Sequence, residues 1–245
     1  MTSLWRRGLW HLAELLLPNR CWLCLGSEQE AGPIRFGLCT VCYTAAVTDP
    51  HACCPRCATT VGKYGDYATG CPQCRSGPWI LSGTIRLGPY DGCLRQIILL
   101  MKTPQGEALA EWMGAVLAEE RGGAIRNLSV DLVTCVPIHW KRRWHRGHNQ
   151  ADRLARMLAR RLHLPYNPRL LRRRHGIAQE EQLSASARWT NASGAFSLRP
   201  GATLKGKRIL IVDDVMTTGA TLTAAAQQLL KGRASAVYGA VLARA

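Results

Sequence analysis

No apolar run in this 245-residue chain approaches the roughly 18 residues that cross a bilayer, which excludes a membrane-spanning helix. A secretory leader is not expected either. Arg6 and Arg7 precede apolar residues as far as Leu17, but His11 and Glu14 interrupt that run and no small-residue cleavage site follows. Trp5, Leu9, Leu12 and Leu16 fall on one helical face, so residues 1–20 are expected to form an amphipathic docking helix. These absences point to a cytoplasmic protein. Acid is scarce too: 16 Asp and Glu face 32 Lys and Arg, a net charge of +16. The shortage is local. Between His139 and Arg174 twelve Lys or Arg meet one acid, Asp152, so that window alone carries +11. Such a density suits an anionic partner: phosphate, pyrophosphate or nucleic acid. Up to residue 80, seven basic residues are nearly balanced by five acidic ones, which gives that segment little electrostatic claim on DNA.

Cysteine, by contrast, is abundant. Eight of the eleven form Cys-x-x-Cys pairs: Cys21 and Cys24, Cys39 and Cys42, Cys54 and Cys57, Cys71 and Cys74. Fourteen residues separate the first two pairs and thirteen the last two, the spacing of two consecutive zinc ribbons. Each knuckle presents two thiolates to one metal, and two knuckles complete a tetrahedron. Two structural Zn²⁺ ions are expected, with the pairs taken in sequence order or, alternatively, cross-braced. A reducing cytosol disfavours disulfides, and four regular pairs do not suit thioredoxin-like redox chemistry. Closed four-cysteine sites keep no open position, so they are structural, and in a segment with little apolar core the metal supplies folding energy. Cys53 adjoins the third pair as a competing ligand. Cys93 and Cys135 sit in apolar contexts, as core residues do.

A second signal lies near the C-terminal end. Ile209-Leu210-Ile211-Val212 reads as a buried parallel strand. Asp213 and Asp214 follow at its end, then Thr217, Thr218, Gly219, Ala220 and Thr221, then an apolar-periodic helix from Leu222 to Leu230. Backbone N–H groups and the dipole at a helix N-terminus favour an anion, and Gly219 permits close approach. The two carboxylates suit ribose hydroxyls or a hydrated Mg²⁺.

This segment resembles the phosphoribosyl pyrophosphate (PRPP) motif of type I phosphoribosyltransferases. The resemblance implies that Thr217 to Thr221 bind a 5′-phosphate and that Asp213 and Asp214 contact the ribose. Purine-salvage members carry an Asp where Thr217 stands, so a carboxylate base is missing at that position.

Elsewhere Trp79 to Tyr90 reads as a strand pair, Leu94 to Met101 and Gly106 to Glu120 as helices, and Asp131 to Pro137 as a short buried strand. Leu154, Met157, Leu158 and Leu162 alternate with Arg153, Arg156, Arg160 and Arg161, giving an amphipathic helix from Gln150 to Leu162. Leu170 and Leu171 can open a strand, Gly176 to Ser193 is polar, and Ala236 to Leu242 reads as a closing strand. Alternating strands and helices indicate an α/β fold with a parallel sheet. Three divisions are expected: the docking helix (1–20), a double zinc ribbon (21–78) and the α/β domain (79–245). The resemblance to type I phosphoribosyltransferases, in which a second strand-to-helix loop binds the pyrophosphate, makes the basic loop from His139 to Asn149 the candidate for that role, with Arg142, Arg143 and Arg146 as ligands and Lys102 as a weaker one. Trp140 and Trp144 interleave its cations, which also suits base stacking on single-stranded nucleic acid.

The whole pattern resembles the ComF/GntX family. It comprises cysteine-rich ribbons, then Val136-Pro137 leading through Arg142 to Arg146-Gly147 and Asn149-Gln150, and then the PRPP motif. Between the last two lies a run from Gln179 through Leu183, Ser184, Arg188 and Asn191 to Ala195-Phe196. It departs at His148, where that family usually has an aromatic. The resemblance implies a type I phosphoribosyltransferase-like parallel sheet flanked by helices and a PRPP site with Mg²⁺. It also implies a role in natural competence and the use of external DNA. In the catalytic set Asp213 and Asp214 would contact the reacting sugar and Arg146 the leaving pyrophosphate, with Arg188 closing as a lid. A single-stranded-DNA-binding competence factor and a PRPP- or nucleotide-sensing module without turnover remain as alternatives.

Overall fold

The computed structural model describes residues 20–75, 77–138, 147–174 and 194–245. The expected docking helix, most of the basic loop with Arg142, Arg143 and Arg146, and the segment carrying Arg188 lie outside them.

Four parallel strands form the central sheet: β3 (Gly83–Pro89), β4 (Leu132–Cys135), β7 (Arg208–Met216) and β8 (Ala236–Arg244), in the order β3-β8-β7-β4. The two central strands, β7 and β8, are apolar in near-continuous runs because both their faces are covered. On one face lie helices α4 (Gly92–Met101), α5 (Glu107–Asn127) and α6 (Gln150–Leu162), packed over Leu210, Val212, Ala240 and Leu242. On the other lies α7 (Ala220–Lys231), over Ile209, Ile211, Val237 and Val241. This is the expected α/β class. Among the described residues no helix is long and apolar enough to cross a membrane.

Helix α6 occupies Gln150–Leu162 because Ala151, Leu154, Ala155, Leu158 and Leu162 make one buried stripe, with the arginines on the opposite face. In α4 the Asp91 side chain accepts from the Gly92 N–H, and Leu94, Ile97, Ile98 and Met101 face the core. Two expectations change. Residues from Trp79 to Tyr90 give one strand, β3, rather than a pair, and it pairs in parallel with β8. Helix α5 continues past Glu120 to Asn127, through Gly122 and Gly123. Gly122 lies under Leu162 of α6, where a Cβ would come within 3.0 Å of Leu162 Cδ2.

The cysteine-rich segment contains a short hairpin, β1 (Ile34–Arg35) and β2 (Leu38–Cys39), and short helices α1 (Glu28–Ala31), α2 (Thr40–Val47) and α3 (Pro72–Arg75). A further hairpin joins β5 (Leu171–Arg173) to β6 (Phe196–Leu198). The cysteine-rich segment shares both cores of the sheet. Cys21, Leu38, Cys39 and Cys42 belong to the core on the α5 side, whereas Cys54, Cys57, Cys71 and Cys74 belong to the core on the α7 side.

Candidate functional site

Strand β7 carries Asp213 and Asp214 within it rather than beyond its end, since pairing with β8 continues to Met216 opposite Arg244. Adjacent residues on a strand face opposite ways, and the acidic pair divides accordingly. Asp213 lines a surface concavity together with the loop from Val215 to Leu222. Asp214 reaches Lys102 Nζ at 3.5 Å, at the C-terminal end of α4. Burial and the adjacent charge of Asp214 hold the Asp213 carboxyl well above the usual carboxylate range.

The loop is short and pinned. Gly219 caps α7 with φ +81°, in the left-handed region that favours glycine. Thr218 Oγ1 accepts from the Ala220 N–H at 3.3 Å, while the Thr223 N–H already bonds Gly219 O at 2.9 Å. The first-turn N–H groups of Thr221 and Leu222 therefore have no acceptor within the helix, so the concavity ends on donors and a positive dipole end. It suits a phosphate group, and Asp213 beside it offers hard oxygen for a hydroxyl or a hydrated divalent cation.

Two residues that the motif does not contain complete the loop's surroundings. Arg244, at the end of β8, is only 5% exposed. Its Nη1 donates to the carbonyls of Met216 (3.3 Å), Thr217 and Ala245, and its Nε to Cys57 O at 3.3 Å. Trp79 lies against Gly219, where a Cβ would stand 2.1 Å from Trp79 Cζ3. No local sequence signal marks either residue, because strand pairing and ring packing bring them in from afar.

The second edge of the site is described only in part. Asn149 Nδ2 donates to Val136 O at 3.2 Å, drawing the two ends of the basic loop together where α6 begins, beside the carboxyl ends of β4 and β7. His148 is buried and its Nε2 donates to Met101 O at 3.2 Å, so an imidazole fills the core position expected for an aromatic.

The cysteines gather into two quartets in sequence order, Cys21/Cys24/Cys39/Cys42 and Cys54/Cys57/Cys71/Cys74, with all sulfurs of each quartet within 4.8 Å of one another. A tetrahedral zinc with bonds of about 2.3 Å sets its sulfurs about 3.8 Å apart. The distances match: 3.8 Å for Cys24 to Cys39, 3.8 Å for Cys54 to Cys74, 3.4 Å for Cys57 to Cys71 and 3.9 Å for Cys71 to Cys74. Both quartets could hold zinc. Burial opposes ionisation of Cys21 and Cys54, but knuckle N–H donors bring them down to about 6 and about 7. Burial pushes Cys42 up, and Cys74 up to about 12. Cys53 belongs to neither quartet; it is exposed and bridges to Thr60. Cys135 is buried in the core, and Cys93 lies at its margin.

Residues 151–245 match the phosphoribosyl transferase domain family. Over 226 residues the chain is 31% identical to the DNA utilization protein YhgH of Escherichia coli K12, covering 91% of this chain and 96% of that protein. It is 28% identical over 220 residues to competence protein F of Haemophilus influenzae, covering 86% and 91%. Among solved structures, the glutamine PRPP amidotransferase from B. subtilis, complexed with ADP and GMP, is similar at 22% identity and a TM-score of 0.38, over 56% of this chain and 27% of that one.

Proposed function

Because the chain belongs to the ComF family, we propose that it binds PRPP at the loop after β7, transfers its phosphoribosyl group, and serves the use of external DNA. The observation that carries this reading is the concavity itself: a carboxylate in the C-terminal half of a central parallel strand, a hydroxyl-rich turn pinned by Gly219, and the open N-terminus of α7. The phosphoribosyl transferase match over residues 151–245 and the names of the relatives support it.

In this reading Thr217, Thr218 and Thr221 with the first N–H groups of α7 take the 5′-phosphate, and Asp213 and Asp214 take the ribose hydroxyls. Lys102, paired with Asp214, orients that carboxylate. The bond from C1 to the pyrophosphate oxygen breaks, the oxygen keeps the electron pair, and the acceptor's lone pair closes on C1. Arg142, Arg143 and Arg146 neutralise the leaving pyrophosphate, and Arg188 closes over the site. Mg²⁺, carried in with the pyrophosphate, supplies further neutralisation of the leaving group; the carboxylate oxygens of Asp213 and Asp214 fit so hard a cation. Thr217 is a hydroxyl where a base could stand, so the acceptor's proton leaves by another route. Pyrophosphate release from PRPP, screened across nucleobase, nucleoside and amine acceptors, tests the reading. Release is expected to depend on the acceptor and to vanish in Asp214→Asn; unchanged release in that variant would remove the site.

The charge of the window from His139 to Arg174 favours one further reading: the same protein binds single-stranded DNA along it. That reading expects affinity to fall steeply with salt and to drop when Arg142, Arg143 and Arg146 are replaced together.

A further inference from the structure

We propose that the second cysteine quartet is the foundation of the phosphate loop. In this view zinc held by Cys54, Cys57, Cys71 and Cys74 sets the loop's conformation through Arg244 and Trp79. The ligand half of this inference rests on the PRPP reading above; the loop half does not.

The connection runs through one guanidinium and one indole. Arg244 Nε donates to the carbonyl of Cys57, a quartet member, while Nη1 of the same group donates to the carbonyls of Met216 and Thr217, where β7 becomes the loop. Burial pushes its pKa down, and its partners are the backbone oxygens of Cys57, Met216, Thr217 and Ala245. A buried cation in that position depends on its carbonyl acceptors, so the quartet and the loop are held to one fixed separation. Trp79 makes the second link. It is clamped to the knuckle between Cys54 and Cys57: its Nε1 donates to Arg56 O at 3.1 Å, and Arg56 Nη2 donates back to Trp79 O at 3.1 Å. Its ring edge then fills the space beside Gly219, so that no side chain fits there. The knuckle is itself tied to the sheet, since the Thr84 N–H donates to Pro55 O at 3.0 Å and Thr84 Oγ1 to Arg56 O at 2.9 Å.

Among the described residues the first quartet has no such route. Its Trp22 and Gly37 pack against Trp112 of α5, with the two indoles edge-on at 5.9 Å, on the opposite face of the sheet. The two quartets therefore have separable duties. The first fastens the ribbon to α5. The second positions the phosphate loop. Arg244 and Trp79 are positioning residues and act only through the loop backbone.

Hydrogen exchange of the full zinc-loaded chain, read for residues 217–221 and for Ile209 to Val212, tests this without any ligand. Arg244→Lys keeps the charge but not the fork, and Trp79→Phe removes the ring edge that meets Gly219. Both are expected to speed loop exchange by about tenfold, the worth of one charge-assisted hydrogen bond, while the strand stays protected. Cys74→Ser is expected to do the same and Cys24→Ser to leave the loop unchanged. Loop exchange at the wild-type rate in both Arg244→Lys and Trp79→Phe would overturn the inference. So would equal loosening by Cys24→Ser and Cys74→Ser. PRPP titration into Arg244→Lys is expected to show binding weakened by a similar factor. If the wild type binds no PRPP, the functional reading fails while the exchange result still decides the buttress; a Cys74→Ser chain that does not fold leaves the decision to the other two variants.

Discussion

Asp213→Asn should make the free protein more stable while destroying its site. The carboxyl of Asp213 is held well above the ordinary carboxylate range by burial and by the charge of Asp214 beside it. Lys102 offsets part of that charge, but its contact, at 3.5 Å, is with Asp214. Asparagine keeps the shape and the oxygen that accepts from the Asp214 N–H at 3.0 Å, and it removes the repulsion. Relief of a strained functional group of this kind is worth about 1–2 kcal/mol. In a chain of this size that raises Tm by about 2–4 °C per kcal/mol. The pH dependence has a definite sign. A raised folded pKa means that the folded state holds the proton more tightly than the unfolded chain. Wild-type stability therefore falls, relative to the variant, as pH rises above the unfolded value towards the folded one. The gap between the two melting temperatures should be widest at neutral pH and should narrow as the pH falls towards the carboxylate range. Both proteins carry the same cysteine quartets, so the pH dependence of metal binding cancels in the difference. Thermal unfolding of the two zinc-loaded proteins at several pH values measures this. An Asp213→Asn protein that melts below the wild type at neutral pH, or a gap that widens as pH falls, would refute the reasoning.

Three further expectations concern the frame around the site. Because the quartets lie in the two cores on either side of the sheet, chelating zinc should unfold helices α5 and α6 as well as the ribbon, as a loss of most far-ultraviolet helical signal; a chelated protein that keeps that signal would contradict the shared core. Gly219→Ala combines a left-handed backbone with a Cβ placed 2.1 Å from Trp79 and should cost about 2–4 kcal/mol in denaturant unfolding. Arg86 Nε meets Asp49 at 2.9 Å with both side chains almost fully buried, and Nη1 donates to Ala58 O at 2.8 Å and Thr60 Oγ1 at 2.9 Å. Asp49→Ala strands that cation and should cost about 3–5 kcal/mol, whereas replacing both partners with apolar residues should cost much less.

Much of this was legible in the residues. The Leu and Arg periodicity of Gln150 to Leu162 gives α6 its bounds, because a helix that packs along one face writes that face into the sequence every three to four residues. The four cysteine pairs and the Asp-Asp-…-Thr-Thr-Gly run mark their elements just as directly, since each needs particular side chains at fixed short spacing. Where spacing is not local the sequence is silent. Gly122 and Gly123 look like a helix end, yet Gly122 lies inside α5, packed against Leu162 of α6. The span from Trp79 to Tyr90 looks like a hairpin because its partner, β8, lies about 150 residues away in a parallel pairing. Arg244 and Trp79 meet the loop only through the register of β8 on β7 and the clamp at Arg56, so nothing in the motif names them.

The central claim is a PRPP site at the loop after β7. Isothermal titration of PRPP with Mg²⁺ into zinc-loaded protein, beside Asp213→Asn/Asp214→Asn, tests it most directly. The expected result is saturable one-site binding by the wild type that is lost in the double variant. Absence of wild-type binding, or equal binding by the double variant, would contradict the account.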